Sequence, residues 1–381
     1  MTEDGIDFSP LFQPITIGRT RFPSRIVMPG MQRGWNTDGR PDARLAEYYR
    51  RRAEAGAGLI ITESCAIDHP SATNRQSFAR INESTADAWA QCVARVKSTG
   101  GRMFMQLWHQ GGQLQGDGDL DTGWPLLSPS GLVSAEEEGG RAATLDELEE
   151  VREGFVRSAR LAKQIGLDGV ELHGAHGFLL DEFLWPVTNR REDGYGGEDM
   201  ADRVRFPAEI AAAVRAAVGP DFVIGFRMSQ WKEVDYGARI ARSPEELKVM
   251  LETMRGAGVD VFHVSARRFW LPEWEGSDLG IAGWVKSLID APVIAVGSVG
   301  LDTDVMETFS GQEVHPTGAR GFGELMRRFN NHEFDMVAVG RTQIADPQFV
   351  TKLRSGRLDD IRVFSRDHLK PEHEAAAATN A

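Results

Sequence analysis

The feature that most restricts what this chain can fold into is an alternation sustained almost from end to end. A short apolar run with strand character is followed by a longer amphipathic run with helix character, eight times over. The strand candidates are residues 25–31, 58–65, 103–109, 169–173, 222–228, 261–265, 292–296 and 336–340; the helix candidates are 42–56, 86–100, 144–166, 201–218, 243–258, 280–290, 321–329 and 346–356. Several helical runs stop at glycine, as at Gly56, Gly100, Gly166 and Gly258, where a left-handed cap is wanted. Eight strands, each followed by a helix, is the count of a closed barrel. An open, doubly wound sheet of eight is the alternative, and with no break between domains it is the less economical one.

The expected architecture is therefore α/β, a (β/α)8 TIM barrel formed by residues 1–381 as a single domain, with a frayed tail at 372–381. The extra length falls in loops 110–143, 269–279 and 301–320, after the third, sixth and seventh strands. All three lie on the C-terminal face, where barrels carry their active sites.

Residues 169–197, GVELHGAHGFLLDEFLWPVTNRREDGYGG, break from strand periodicity into a dense run of His, Asp, Asn, Arg and Gly. His173 and His176 fall where the fourth strand ends. Residues three apart on a strand face opposite ways, so both imidazoles reach one pocket only if the backbone turns, and Gly174-Ala175 is the expected turn. Two neutral imidazoles can donate to one oxygen and polarise it, as a carbonyl, nitro or phenolate group would require. Packing is the bland reading of such a pair. The glycines argue against a helical zinc site, and no metal is expected.

The other strand ends supply a donor-rich set: Met28 to Gln32, Glu63 to Cys65, Gln106 and His109, Arg227, Gly297 to Gly300, and Gly340-Arg341. Glycine turns after strands seven and eight with a basic residue match the place where barrels hold a phosphate through backbone N–H groups. Each residue has a structural reading of its own; Arg227, for one, could pair with Glu171 or Glu63. Jointly, polar donors at the same end of several unrelated strands point to a site for a planar, carbonyl-rich ring.

Composition excludes other classes. No apolar run is long enough to span a membrane, and the acidic N-terminus lacks the order of a signal peptide, so a cytoplasmic location is expected. Cys65 and Cys92 are too few for a disulfide framework or a cysteine-held iron–sulfur cluster. A net charge of −13 disfavours nucleic acid or an anionic membrane as partner, leaving a small molecule; a homo-oligomer stays open.

At this point the motifs can be set side by side: LFQPITIGRTRFPSRIVMPGM, RRAEAGAGLIITE, QLWHQGG, ELHGAHGFLLDEFLWP with TNRREDGYGG, IGFRMS, VIAVGSVG, FDMVAVGR and ADP. Together they resemble the old yellow enzyme family of FMN-dependent ene-reductases over nearly the whole chain. The resemblance implies a barrel with FMN at its C-terminal face. Pro29, Gly30, Met31 and Gln32 would line the flavin, with Ser64 nearby. Gln106 would bond the pyrimidine edge and Arg227 the N1/O2 side, where a fixed positive charge stabilises the anionic reduced ring. Gly297, Ser298, Val299, Gly340 and Arg341 would hold the phosphate. His173 and His176 would bind the substrate oxygen, NADH or NADPH being the reductant.

Two positions depart from the family pattern. Phe178 stands where members commonly have a tyrosine that protonates the substrate, and a phenyl ring has no proton to give. Gln32 stands where Thr or Cys is usual. The larger relatives' iron–sulfur module is expected to be absent. Trp35, Phe178, Phe269 and Trp270 are the candidates for an apolar substrate pocket. The leading reading is an oxidoreductase that uses NAD(P)H to reduce an activated C=C bond. Phe178 keeps a flavin-dependent dehydrogenase, isomerase or demethylating oxidoreductase as the alternative. Outside flavin chemistry stand a flavin-free barrel hydrolase or binding protein, and a Schiff-base lyase built on Lys232, which alone among the seven lysines lies near a strand end.

Overall fold

The computed structural model describes residues 5–113, 118 and 120–370. The eight expected runs form strands β1 (Ile26–Met28), β2 (Leu59–Ala66), β3 (Arg102–Trp108), β4 (Gly169–His176), β5 (Val223–Lys232), β6 (Val261–Ser265), β7 (Val293–Val296) and β8 (Met336–Ala338). All pair in parallel with their sequence neighbours. Val27 of β1 pairs with Leu59 on one side and Ala338 on the other, which closes the sheet and removes its edges. The helical runs form α1 (Ala43–Glu54), α2 (Ala86–Lys97), α3 (Leu145–Gln164), α4 (Arg205–Val218), α5 (Pro244–Gly256), α6 (Ile281–Leu288), α7 (Gly318–Asn330) and α8 (Phe349–Arg354). This is the (β/α)8 barrel. The tail at 372–381 lies outside the described residues.

Local chemistry sets the helix starts. Asp42 accepts from the amides of Arg44 and Leu45 ahead of α1, and Ser243 caps α5 with Pro244 at its first position. Thr144 and Glu147 form a reciprocal capping box at α3. The helices bury their apolar faces against the outside of the barrel in one large core.

A second, smaller core fills the barrel's N-terminal half. An antiparallel hairpin, Ile15–Ile17 and Thr20–Phe22, plugs the bottom. Ile17 and Phe22 pack there on Val27, Leu59, Phe104, Val223, Val261, Ile294 and Met336. With that end sealed by hydrocarbon, polar side chains pointing into the barrel can collect only toward the opposite mouth. Among the described residues no helix is long and apolar enough to cross a membrane.

Candidate active site

At the C-terminal mouth lies a cavity of about 380 Å³, within the range of small-ligand sites. The strand ends supply its walls: Pro29, Gly30, Met31 and Gln32 after β1, Ser64 on β2, Gln106 on β3, His173 and His176 on β4, and Arg227 on β5. Gly297, Ser298 and Val299 follow β7, and Gly340-Arg341 follows β8. All twelve residues expected to hold a cofactor, together with both imidazoles and Phe178, line this one space.

Three of the expected pocket residues do not. Trp35 is buried against Tyr48 beneath Arg33; Phe269 packs edge-on to Trp270, and neither faces the cavity. They fit the bland alternative, packing against neighbouring rings and side chains of the loops. The aromatic lining comes instead from Phe78, Phe178, Trp231, Phe309 and Phe364. Sequence reading passed over Trp231 because it ended the fifth strand at 228, whereas β5 runs on to Lys232.

The backbone turn that aims the imidazoles is also displaced from its expected place. β4 continues through Gly174 to His176, and the left-handed residue is His176 itself, with φ 68°. Its register slips there: Gly174 pairs with Met228, yet His176 pairs with Lys232. Gly174 is required for a different reason, since a Cβ on it would lie 2.3 Å from Phe226 Cζ. A left-handed histidine is strained, and its surroundings hold it. Ser229 Oγ accepts from the His176 amide at 2.9 Å, and Gln113 Nε2 and the Glu233 amide donate to its carbonyl. The ring stacks on Trp231 at 4.5 Å, and its Nε2 meets Ser265 Oγ at 2.9 Å.

The two imidazoles stand 5.3 Å apart, centroid to centroid and nearly perpendicular. Burial, reinforced by the nearby Arg227 charge, pushes His173 down to about 3 and His176 well below the usual histidine range. Both are therefore neutral at physiological pH. His173 Nδ1 is buried and without a partner, and so is Arg227 Nε, while Arg227 Nη1 donates to the Gly30 carbonyl at 3.3 Å. Buried polar atoms left this way mark a place that a ligand completes.

The donor set and the shape both fit FMN. Side chains are excluded where a flat ring would approach the backbone: a Cβ on Gly30 would lie 2.6 Å from the Thr62 carbonyl, and one on Gly297 2.6 Å from that of Ala266. At the other end Arg341 donates to Ser298 Oγ, Thr308 Oγ1 and the carbonyls of Thr303 and Asp304. A guanidinium anchored on neutral oxygens keeps its full charge, beside the backbone amides of the two glycine turns. Among the described residues no group of three or more His, Cys, Asp or Glu side chains could hold a metal ion.

Two of the alternative readings do not hold, one structural and one functional. Arg227 is not hydrogen-bonded to Glu63, whose carboxylate accepts from the amides of Arg33 and Gly34 and from Asn36, holding the loop after β1. Nor is Lys232 available as a Schiff-base nucleophile. It is wholly buried outside the cavity, paired to Asp181 at 2.7 Å and bonded to the carbonyls of Ser229 and Gln230.

Comparison with known proteins gives the family. The family model described as NADH:flavin oxidoreductase / NADH oxidase matches residues 10–315. The chain is 35% identical over 366 residues to an NADH oxidase of Thermoanaerobacter brockii, covering 93% of this chain and 52% of that one. It is 29% identical to an NADPH dehydrogenase of Clostridium acetobutylicum, covering 96% and 99%. Among solved structures, morphinone reductase superposes with a TM-score of 0.74 at 26% identity, covering 94% of this chain and 92% of that one. Several curated relatives are about twice as long, so that the chain spans about half of their length.

Proposed function

Because the chain belongs to the NADH:flavin oxidoreductase / NADH oxidase family, we propose that it binds FMN in this cavity and uses NADH or NADPH to reduce the activated C=C bond of an α,β-unsaturated carbonyl or similar electron-poor compound. The observation that carries the reading is convergence: residues from all eight strand ends, far apart in sequence, meet in one cavity with two neutral imidazoles. FMN, when bound, supplies the hydride chemistry. This chain's residues bind, orient and polarise.

In this reading Arg227 places a buried positive charge beside the pyrimidine side, and Gln106 and Ser64 offer it hydrogen-bonding groups. The glycine turns and Arg341 take the phosphate. His173 and His176 receive the substrate's oxygen. Held neutral, they donate without a competing charge, and Ser265 fixes which nitrogen of His176 is left for the ligand. Trp231 and Phe178 exclude water from the ring face. The domain reading, residues 1–381 as one unit, and a cytoplasmic location with a small-molecule partner belong to the same proposal.

Phe178 favours the second reading. It stands 5.1 Å from the His173 ring, and it offers no proton for the substrate's α-carbon. Either solvent supplies that proton, or the enzyme is a flavin-dependent dehydrogenase, isomerase or demethylating oxidoreductase that needs none there. Anaerobic reduction of FMN-loaded protein with NADPH or NADH, followed by mixing with a panel of enones, separates the two. Re-oxidation of the flavin by an enone is expected; none by any member of the panel would exclude the ene-reductase reading.

A further inference from the structure

From the cavity lining a file of hydrogen-bonded polar groups runs down to two buried ones, Glu171 and His263, that the chemistry above leaves unused. Ser64 Oγ donates to Gln106 Oε1 at 2.9 Å, Gln106 Nε2 donates to Glu171 Oε1 at 2.7 Å, and Glu171 Oε2 meets His263 Nδ1 at 2.7 Å. Gln106 and Ser64 line the cavity; Glu171 and His263 lie under it, 1% and 0% exposed. Burial by itself would push the Glu171 carboxyl up, but the hydrogen bond from His263, the Arg227 charge and the Gln106 amide together hold it below the usual carboxylate range.

A carboxylate only accepts hydrogen bonds, which settles two ambiguities. The Gln106 amide must turn its nitrogen to Glu171 and its oxygen to Ser64, so it cannot flip. His263 must carry its proton on Nδ1, and its Nε2 is left buried without a partner. Register keeps the group together: Glu171 lies opposite Gln106 across β3–β4, and His263 lies opposite Arg227 across β5–β6.

We propose that Glu171 is a positioning residue for the cofactor: its carboxylate locks the Gln106 amide in one orientation, and its buried negative charge opposes Arg227, so that reduced FMN is held less tightly than Arg227 alone would hold it. The inference rests on the flavin reading. A fixed anion beside a fixed cation lowers the local potential felt by a ring that becomes anionic on reduction.

The test is the midpoint potential of bound FMN, by spectroscopic titration of the holoenzyme. Glu171→Gln keeps the shape and removes the charge; the preference for reduced over oxidised FMN is expected to rise about tenfold, a positive shift of ~30 mV for a two-electron couple. A shift in the negative direction, or weaker FMN binding at an unchanged potential, would overturn the proposal. His263→Leu removes the partner that keeps Glu171 ionised and is expected to shift the potential the same way, so it decides the matter if Glu171→Gln does not fold. His263→Asn, whose amide nitrogen replaces Nδ1–H, is expected to keep the wild-type value; a shift as large as that of His263→Leu would count against the proposal. Wild-type protein that takes up no FMN would sink the flavin reading itself, a different result from flavin bound at a potential these variants leave alone.

Discussion

Lys232 and Asp181 form an ion pair with both side chains wholly buried, and removing one partner is the sharpest perturbation of the site's scaffold. Asp181 accepts from the Gly177 amide at 2.6 Å, so the pair ties the end of β5 to the turn that carries His176 and Phe178. In Lys232→Met the carboxylate stays buried with that amide as its remaining donor. Breaking such a pair costs about 3–5 kcal/mol. With an unfolding entropy of ~2.1 cal/mol/K per residue over 381 residues, the apparent Tm should fall by roughly 4–6 °C at pH 8. The pH dependence identifies the cause. Burial raises Asp181 to about 6 in spite of the Lys232 charge, above its value of ~3.9 in an unfolded chain. Between those values the native state binds the extra proton, so this group's contribution to stability declines as pH rises through that window and is level above it. Without Lys232 the carboxyl rises further, and the window extends to higher pH. At pH 5 it is protonated in the variant, and the Tm deficit should shrink to less than half its value at pH 8. Lys232→Met with Asp181→Leu, which replaces the pair by hydrocarbon, should recover to within ~1 kcal/mol of wild type. Thermal scans of the holoenzyme at the two pH values measure all of this. A single variant as stable as wild type, a deficit equal at pH 5 and pH 8, or a double variant no better than the single would each refute the reasoning.

Phe178→Tyr puts a phenol near the substrate's α-carbon and should raise enone turnover tenfold or more, since a positioned acid contributes ~100-fold or greater; unchanged or lower turnover would mean that no acid is missing at that position. Arg341→Met should weaken FMN roughly 10–100-fold, the worth of a charged hydrogen bond, while riboflavin, which lacks the phosphate, binds as before; equal losses for both would remove Arg341 from the phosphate site. His109 and His173 are each pushed down to about 3 by burial, so the unfolded chain takes protons near ~6.5 that the native state refuses. Their contribution to stability is therefore complete above pH ~6.5 and should be lost as pH falls toward 3. Urea midpoints measured at pH 7.5 and 4.5 check this, and an equal midpoint in double alanine variants and wild type at both values would contradict it.

What the sequence disclosed and what it withheld divide along physical lines. All eight strands were legible because a parallel barrel strand is apolar and short, and its helix is long and amphipathic, so the period changes at each boundary. The residues of the cavity were legible for a related reason: once the barrel is closed, a polar residue at a strand's C-terminal end has one place to point. The long-range pairs were not. Nothing near Lys232 in sequence announces Asp181, and Glu171 meets His263 only because three strands curve round to bring them together. The bulge at His176 was equally hidden, since a left-handed histidine is held by distant partners such as Ser229 and Gln113 rather than by its own propensity. Trp35, Phe269 and Trp270 were assigned to the pocket and belong to packing. An aromatic residue on a loop suits either role until the fold decides where its surface is covered.

The claim beneath all of this is that the strand ends build one flavin cradle with two neutral imidazoles beside it. Equilibrium titration of flavin-stripped protein with FMN, followed by quenching of flavin fluorescence, tests it most directly. The account predicts saturation at one FMN per chain, with binding weakened in Arg227→Ala and Arg341→Met and retained in His173→Ala. A chain that leaves flavin fluorescence unchanged, or binds FMN equally well in Arg227→Ala and Arg341→Met, would contradict it.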